Sequence, residues 1–258
     1  GHLPPLFLIH PRGGQVDYAR TLAPWLIAGL PVYGLGASGF LAGETPLTTI
    51  EAMAARYLQE IRAVQPEGPY RVAGYSCGGI IAYEIANQLL GVDEYVEFVG
   101  LIDTYWVNET GSAPEDFDEC AFLFNELLKA DKLPAPEILE TLKAQAACAD
   151  FETMLDDCRT AGLIPADIDQ ALVRRYLAVF HATDQALKAY TPAPIPAPLT
   201  LFAATEGDAA RGWEMLAGHS LRIVPISGTH LGIIEPPHVR HLGEAVSAAL
   251  IAAAWTGA

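Results

Sequence analysis

The 258-residue sequence lacks two features that would point to membranes or nucleic acid. No apolar run approaches the roughly 20 residues that a membrane-spanning helix needs. Basic residues are also few: 15 Lys and Arg stand against 31 Asp and Glu, which gives a formal net charge of −16 at pH 7. Binding to nucleic acid or to an anionic membrane surface depends on clustered Lys and Arg. We therefore predict that neither is a partner of this chain.

Cysteine is scarce and has no spacing typical of metal binding or redox chemistry. There are four, none in a C-x-x-C pair and none in a metal-ligand pattern with histidine: Cys77, Cys120, Cys148 and Cys158. The sequence thus predicts no metal and no cofactor held by this domain. Because structural disulfides are rare in a reducing compartment, we expect free, buried thiols in a cytoplasmic protein.

What the sequence does contain is an alternation of short apolar runs and helical patterns. The runs in the first half are 6–9, 31–35, 70–74 and 96–102. Runs of this length are typical of strands buried on both faces of a parallel sheet. Between them, Thr48 and Glu51 have capping-box spacing ahead of an amphipathic stripe that stops at Pro66, and 77–90 is apolar nearly all round. This alternation predicts one α/β domain, a mostly parallel sheet with helices on both faces.

From about residue 111 to 191 the pattern becomes entirely helical. Successive helices are predicted near 115–130, 134–147, 149–161 and 166–190. A helical insertion in a βα series predicts a lid over the carboxyl ends of the strands, where ligands bind in open α/β sheets.

A proline-rich connector over 191–198 leads back to the sheet after this insertion. Two further strand runs follow, at 199–204 and 221–226, and a helix over about 238–254 ends the sequence. The chain starts without Met, so we expect an excised domain of a larger polypeptide, monomeric by default.

The strongest chemical signal is the hexapeptide Gly74-Tyr75-Ser76-Cys77-Gly78-Gly79. It is a G-x-S-x-G motif that follows a predicted strand and opens a predicted helix, which is the context of the nucleophile elbow in α/β-hydrolases. A sharp strand-to-helix turn exposes the serine hydroxyl, and the flanking glycines allow close backbone approach. Ser76 is therefore the predicted nucleophile.

A serine hydroxyl needs a base, and the base needs an acid to orient it. His230 lies in the small loop Ser227-Gly228-Thr229-His230 directly after a strand. It is better placed than five further histidines: His10, His181, His219, His238 and His241. Two acids are possible from the pattern. Asp103 ends the strand over 96–102, and Asp208 lies in a polar loop one strand later. We favour Asp103, since it follows its strand without an excursion.

An oxyanion hole requires two backbone amides aimed at the developing negative charge. The amide of Cys77, directly after the nucleophile, is one candidate, and the loop His10-Pro11-Arg12-Gly13-Gly14 supplies the other. Pro11 has no N–H, so Arg12 is the predicted donor. The loop matches neither phosphate-binding glycine motif, which discounts a phosphate site there. Cys77 itself is predicted to be a packed side chain and not a second nucleophile.

Taken together, the motifs resemble the type I thioesterase domains that terminate nonribosomal peptide synthetases and polyketide synthases. The matching segments are 9–14, 32–35, 64–70, 74–79, 82–86, 100–103, 228–230 and 235–237. The segment Gln65-Pro-Glu-Gly-Pro-Tyr70 is the most family-specific, and the likeness covers about residues 5 to 250, weakest in the insertion.

The resemblance implies an α/β-hydrolase fold and a two-step reaction. Ser76 matches the acyl-accepting nucleophile, Asp103 the acid in preference to Asp208, His230 the base, and the Arg12 and Cys77 amides the oxyanion positions. An acyl chain would pass from the phosphopantetheine of an upstream peptidyl or acyl carrier domain to the serine. Water or an internal nucleophile would then release an acid, a lactone or a lactam. The family commonly has Leu or Met where Cys77 stands, which affects pocket shape and not mechanism.

Two other functions use the same residues. A stand-alone proofreading thioesterase or small-ester esterase would have the same triad, whereas a silent binding protein is hard to reconcile with Ser, Asp and His in this order. The elbow sequence and the missing Met favour the chain-releasing domain. The choice between hydrolysis and cyclisation depends on whether the pocket excludes water, which is a matter of shape.

Overall fold

A computed structural model describes residues 3–106, 118–127, 135–146, 150–205, 211–217 and 221–256. The strands are β1 (Leu6–Ile9), β2 (Val32–Leu35), β3 (Tyr70–Tyr75), β4 (Val96–Ile102), β5 (Leu199–Ala204) and β6 (Leu221–Ile226). The helices are α1 (Tyr18–Leu22), α2 (Ile50–Val64), α3 (Gly78–Leu90), α4 (Glu119–Leu127), α5 (Pro136–Ala146), α6 (Phe151–Thr160), α7 (Gln170–Ala189), α8 (Glu214–Ala217) and α9 (His238–Thr256). Among these helices, none is both long and apolar enough to cross a membrane.

The six strands form one parallel sheet in the order β2-β1-β3-β4-β5-β6. The chain moves from β1 outward to β2, then returns to place β3 on the other side of β1. This reversal is a topological switch point, where the loops that follow β1 and β3 part and leave a crevice at the carboxyl ends of the strands.

Alternate residues of each strand enter two different cores. On β1, Phe7 and Ile9 face the core beneath α2 and α3, whereas Leu6 and Leu8 face the core beneath α1 and α9. The helices therefore cover both faces, and the predicted α/β sheet is confirmed. Helix α3 is buried along most of its length, in agreement with its nearly continuous apolar sequence.

The helices between β4 and β5 have a hydrophobic core of their own. Its buried members come from α4, α5, α6 and α7 and from the turn before α7: Cys120, Leu123, Phe124, Leu142, Phe151, Met154, Leu155, Cys158, Ile164, Val173 and Leu177. Helix α7 also reaches the main core through Ala186. One end of the insertion is thus attached to the sheet, while the rest packs upon itself.

Two local predictions are wrong. The run over 31–35 is not buried on both faces: β2 is an edge strand, and Tyr33 on it is 43% exposed. The capping box does not start at Thr48, because Thr49 has the extended conformation of a helix cap and its hydroxyl accepts from the Ala52 amide at 3.1 Å.

A glycine motif begins within the last two residues of β2 and continues into the loop that follows it. Gly34-Leu35-Gly36-Ala37-Ser38-Gly39 has G-x-G-x-x-G spacing. A dinucleotide site needs such glycines to lead directly into a helix N-terminus. Here no helix opens until Ile50, so the required geometry is missing.

Candidate active site

Ser76 occupies the sharp turn between β3 and α3. Its φ is 56°, in the left-handed region that non-glycine residues rarely adopt. A Cβ at Gly74 would lie 2.0 Å from the Gly78 carbonyl carbon, and one at Gly78 would lie 2.5 Å from the carbonyl oxygens of Ile9 and His10. The two glycines therefore allow the elbow to close on itself and to pack against the end of β1.

His230 and Asp103 lie beside Ser76 in a hydrogen-bonded series. The Ser76 hydroxyl is 3.2 Å from His230 Nε2, and His230 Nδ1 is 2.7 Å from Asp103 Oδ2. Since a carboxylate only accepts, Nδ1 carries the proton, and Nε2 is left to accept from the serine. The three side chains follow β3, β4 and β6, so the carboxyl ends of three parallel strands bring them together.

Asp103 is fully buried and its two oxygens have different partners. Oδ2 accepts from His230, while Oδ1 accepts from the Ala204 amide at 2.8 Å and from Arg211 Nε and Nη2 at 3.0 and 2.9 Å. Burial acts to raise the pKa of Asp103, but the hydrogen bonds from His230, Ala204 and Arg211, and the Arg211 charge, outweigh it. The pKa of this carboxyl consequently lies below its usual value.

Two aromatic rings contact the imidazole of His230, each with a different geometry. Tyr75 stacks on it with ring centroids 5.1 Å apart, and its hydroxyl donates to the His230 carbonyl at 2.8 Å. Tyr105 meets the ring edge-on at 5.9 Å. Both contacts restrain the imidazole, while its Nε2 stays within hydrogen-bond distance of the Ser76 hydroxyl.

A cavity of about 540 Å³ opens beside Ser76 and His230. Arg12 and Cys77, the predicted sources of the oxyanion amides, both line it. The Arg12 loop is a tight turn in which the Gly14 amide donates to the Pro11 carbonyl at 2.8 Å. The apolar part of the wall comes from four side chains: Ile80, Tyr105, Trp106 and Leu187.

The far wall of the cavity is charged and links the β1 loop to helix α7. Asp184 accepts from Arg12 Nη1 at 3.2 Å and from Lys188 Nζ at 2.7 Å. One carboxylate between two cations leaves a net positive rim on a protein that is strongly acidic overall. Because all three side chains are partly exposed, the ion pairs themselves contribute little stability.

The sequence profile of the thioesterase domain family matches residues 4–250. The chain belongs to this family. The thioesterase identity and the α/β-hydrolase fold predicted from the motifs are therefore confirmed.

The relatives of this thioesterase domain include large synthetases. It is 28% identical over 254 residues to the nonribosomal peptide synthetase apvA of Aspergillus terreus, and 29% identical over 267 residues to btyA, another such synthetase of that fungus. The matches cover 93% and 97% of this chain but 27% and 28% of the two relatives. The chain thus spans about a quarter of their length.

Solved structures show the same architecture. A four-domain nonribosomal peptide synthetase, in its holo form with AMP and glycine, superimposes with a TM-score of 0.80 at 26% identity, over 96% of this chain and 19% of that one. The NocB thioesterase domain, in covalent complex with a fluorophosphonate nocardicin G analogue, matches with a TM-score of 0.70 at 23% identity, over 96% of each chain. The latter likeness supports the fold alone.

Among the described residues, the other candidate side chains take no part in the hydrogen-bonded series of Ser76, His230 and Asp103. Burial raises the pKa of the Cys77 thiol to about 12, so it is a neutral packed group. His10 is buried against Tyr57, and His238 contacts Ser227. Asp208, the alternative acid, lies outside the described residues. Within the part of the chain that the structure describes, no group of three or more His, Cys, Asp or Glu could hold a metal ion.

Sequence reasoning missed several residues of the thioesterase site. Tyr105 and Trp106 lie two and three positions after Asp103, so an aromatic pair close behind the predicted acid was a signal that could have found them. Asp184 and Lys188 share one face of α7 at i, i+4 spacing, but nothing in the sequence shows that this face meets Arg12. Arg211 lies 108 positions from Asp103 and carries no local signal at all.

Proposed function

We propose that this thioesterase domain releases a peptidyl or polyketide acyl chain from the phosphopantetheine of an upstream carrier domain, through an acyl-enzyme on Ser76. The observation that supports it most is the hydrogen-bonded series from Ser76 through His230 to Asp103, opening on a cavity. The likeness to synthetases that are several times longer than this chain supports the carrier-bound substrate.

In the first step, Ser76 Oγ attacks the thioester carbonyl while His230 Nε2 takes its proton. The tetrahedral intermediate places a negative oxygen toward the amides of Arg12 and Cys77. When the C–S bond breaks, the imidazolium returns the proton to the departing phosphopantetheine thiol. Asp103 stays ionised throughout, because its role is to orient the imidazole and to stabilise its charged form.

In the second step, His230 removes a proton from water or from a nucleophile of the acyl chain itself, which attacks the ester carbonyl. As the bond to Ser76 Oγ breaks, the imidazolium returns the proton to that oxygen, and an acid, a lactone or a lactam is released. The shape of the cavity decides between these outcomes, since cyclisation requires that water be excluded. We propose that the helical insertion over about 111–191 is the lid that shapes it. Leu187 and Lys188 of α7 already form part of the wall.

The experiment that tests this function is mass spectrometry of the intact protein after exposure to a fluorophosphonate and to acyl N-acetylcysteamine thioesters. We expect one adduct of the acyl or phosphonyl mass at Ser76, and none in Ser76→Ala. Ser227 offers a matched control, because its hydroxyl lies 3.0 Å from His238 Nδ1 in an exposed pair. Ser227→Ala should label like the wild type.

Labelling that persists in Ser76→Ala, or that moves to Ser227, contradicts the assignment of the nucleophile. A wild-type protein inert to both reagents contradicts the catalytic function as a whole. Release in H₂¹⁸O then separates hydrolysis, which places the label in the free acid, from cyclisation, which does not.

A further inference from the structure

Arg211 is a fully buried cation at the centre of the site, and the catalytic steps above assign it no role. Its guanidinium donates to Asp103 Oδ1 through Nε and Nη2, and Nη2 also donates to the Ala204 carbonyl at 2.6 Å. Both side chains of this ion pair are 0% exposed. A buried ion pair gains little net stability over apolar packing, so stability alone does not account for this arrangement.

The contacts of Arg211 give the two oxygens of the Asp103 carboxylate different partners. Three donors converge on Oδ1, namely the Ala204 amide and two nitrogens of Arg211, while Oδ2 is left for His230. A carboxylate held in this way cannot rotate about its χ2 bond without breaking several buried hydrogen bonds. Arg211 therefore determines the direction from which the imidazole is held.

The backbone around Arg211 is shaped to bring the guanidinium to this position. Arg211 has φ 55° and Gly212 has φ 83°. The Arg211 carbonyl accepts from the Trp106 amide at 2.7 Å, and Trp213 Nε1 donates to the Thr104 carbonyl at 2.8 Å. Left-handed backbone at a non-glycine residue is costly and persists where the surrounding structure requires it. The segment after β5 is thereby fastened to the segment that carries Asp103.

Tyr105 provides a second route from Arg211 to His230. The guanidinium carbon of Arg211 lies 4.4 Å from the centre of the Tyr105 ring, which is a cation–π distance. The same Tyr105 ring packs edge-on against the imidazole of His230. Arg211 thus supports both the acid and one of the two rings that restrain the base.

We propose that Arg211 is a positioning residue of the thioesterase reaction, acting on His230 through Asp103 Oδ1 and through the Tyr105 ring. This inference rests on the proposed function. It requires the guanidinium specifically: a lysine at 211 keeps the charge but has neither the planar pair of donors nor the flat face that stacks on Tyr105.

The charge of Arg211 also acts on the protonation of the site. The groups that face His230 and Asp103 are Ser76, Tyr75, Tyr105 and Arg211 nearby, with Glu235 close to Tyr75. Arg12, Asp184 and Lys188 lie across the cavity. Without Arg211, the negative charge of Asp103 would lack this buried cation beside the imidazole, so the pH dependence of the reaction should change.

The test compares Arg211→Met and Arg211→Lys with the wild type by measuring kcat and KM on an acyl N-acetylcysteamine thioester. The measurements run from about pH 5 to about pH 9, which includes the range in which histidine side chains usually titrate. Rates are divided by the number of sites that a fluorophosphonate titrates, so that unfolded protein does not count. For Arg211→Met we expect kcat about 100-fold lower with KM little changed, and an acid limb of kcat/KM about one pH unit higher. For Arg211→Lys we expect about tenfold lower kcat and an unshifted limb.

Arg71→Met is the matched control, because Arg71 is another buried arginine, paired with Glu97 and bound to the Pro4 carbonyl away from the cavity. It should cost stability yet leave kcat per titrated site and the pH profile unchanged. The double variant Asp103→Asn/Arg211→Met completes the test. Because one of its two routes passes through Asp103, removing Arg211 from the Asp103→Asn protein should lower kcat by clearly less than the about 100-fold expected in the wild type. The loss that remains reports the route through Tyr105.

Three results overturn the inference: kcat per titrated site and pH profile like the wild type in Arg211→Met, equal behaviour of Arg71→Met and Arg211→Met, or fully additive losses in the double variant. Should Arg211→Met fail to fold, Arg211→Lys and the double variant Asp103→Asn/Arg211→Lys take its place in the same comparison. A wild type that the fluorophosphonate does not titrate contradicts the proposed function itself, whereas normal titration with indifferent Arg211 variants contradicts only the role of Arg211.

Discussion

His10 begins the loop that carries Arg12, and its imidazole is held in one neutral form. Nδ1 donates to the Pro11 carbonyl at 2.8 Å, and the Tyr57 hydroxyl donates to Nε2 at 2.6 Å. Burial lowers the pKa of His10 to about 4, and the hydrogen bond to Pro11 offsets this only in part. Protonating Nε2 would leave a buried charge facing the Tyr57 hydroxyl, so the loop depends on a neutral His10.

This environment predicts how stability changes with pH. Between pH 6.5 and 4 the unfolded chain binds a proton at His10 that the folded chain does not bind, so the free energy of unfolding falls as the pH falls. We expect the stability advantage of the wild type over His10→Asn, which cannot titrate, to shrink by about 2–3 kcal/mol from pH 7 to pH 4.5. Urea unfolding at a series of pH values measures it.

His241 is the control for this effect, because its side chain is exposed on α9. His241→Asn removes an exposed histidine and is the variant with which the His10→Asn series is compared. An advantage of the wild type over His10→Asn that stays constant across the series would mean that His10 gains no proton on unfolding, against its buried, hydrogen-bonded geometry.

The sequence pattern could identify residues whose role is local and could not identify those whose role comes from long-range contacts. Ser76 is predicted from the glycines around it and from its position between a strand and a helix. Asp103 is predicted from its position directly after an apolar strand. Arg211 has no such context, since what makes it notable is a carboxylate 108 positions away. A sequence pattern shows only which residues are close along the chain. The contact between Arg211 and Asp103 forms only when β4 and β5 pair in the folded protein.

At the scale of elements, helix α2 depends on a cap that the sequence leaves ambiguous. Two adjacent threonines precede it, and the spacing to Glu51 favours Thr48, yet the Thr49 hydroxyl accepts from the Ala52 amide. We expect Thr49→Ala to lower the free energy of unfolding by about 1 kcal/mol, because one helix amide loses its acceptor. Denaturant unfolding curves with an unchanged slope would measure this loss.

Thr48→Ala is the matched control, since both side chains are exposed and differ by one position. It should change the free energy of unfolding by less than about 0.5 kcal/mol. Equal losses in the two variants, or a larger loss at Thr48, would contradict the position of the cap.

The sequence pattern predicts the strands correctly but does not predict which of them lie at the edge of the sheet. Alternation of apolar runs and helical stretches was sufficient for a parallel sheet covered on both faces. The order of the strands in the sheet cannot be derived from the sequence, and the apolar run over 31–35 therefore predicts a buried strand. In the structure β2 lies at an edge of the sheet, and Tyr33 on it is exposed. Whether a strand has one neighbour or two is decided by its crossovers, and an apolar run of four or five residues is compatible with both.

At the scale of the whole molecule, two electrostatic features oppose each other. The chain carries a formal net charge of −16, whereas the rim of the cavity has Arg12 and Lys188 around a single Asp184. The field of the whole chain acts at long range in dilute salt, and the rim acts only near the opening. A substrate that carries phosphates can show whether the acidic surface or the positive rim controls how fast the substrate reaches the cavity.

We expect the long-range field to dominate. The distance over which charges act falls from about 30 Å at 0.01 M salt to about 8 Å at 0.15 M. Repulsion of an acyl-coenzyme A by the acidic surface should therefore weaken as salt is added, and its kcat/KM should rise by roughly threefold between these concentrations. The N-acetylcysteamine thioester of the same acyl group is uncharged and should show no change. A kcat/KM for acyl-coenzyme A that falls with salt would instead show that the Arg12 and Lys188 rim captures the phosphates, and then Lys188→Gln should flatten the dependence.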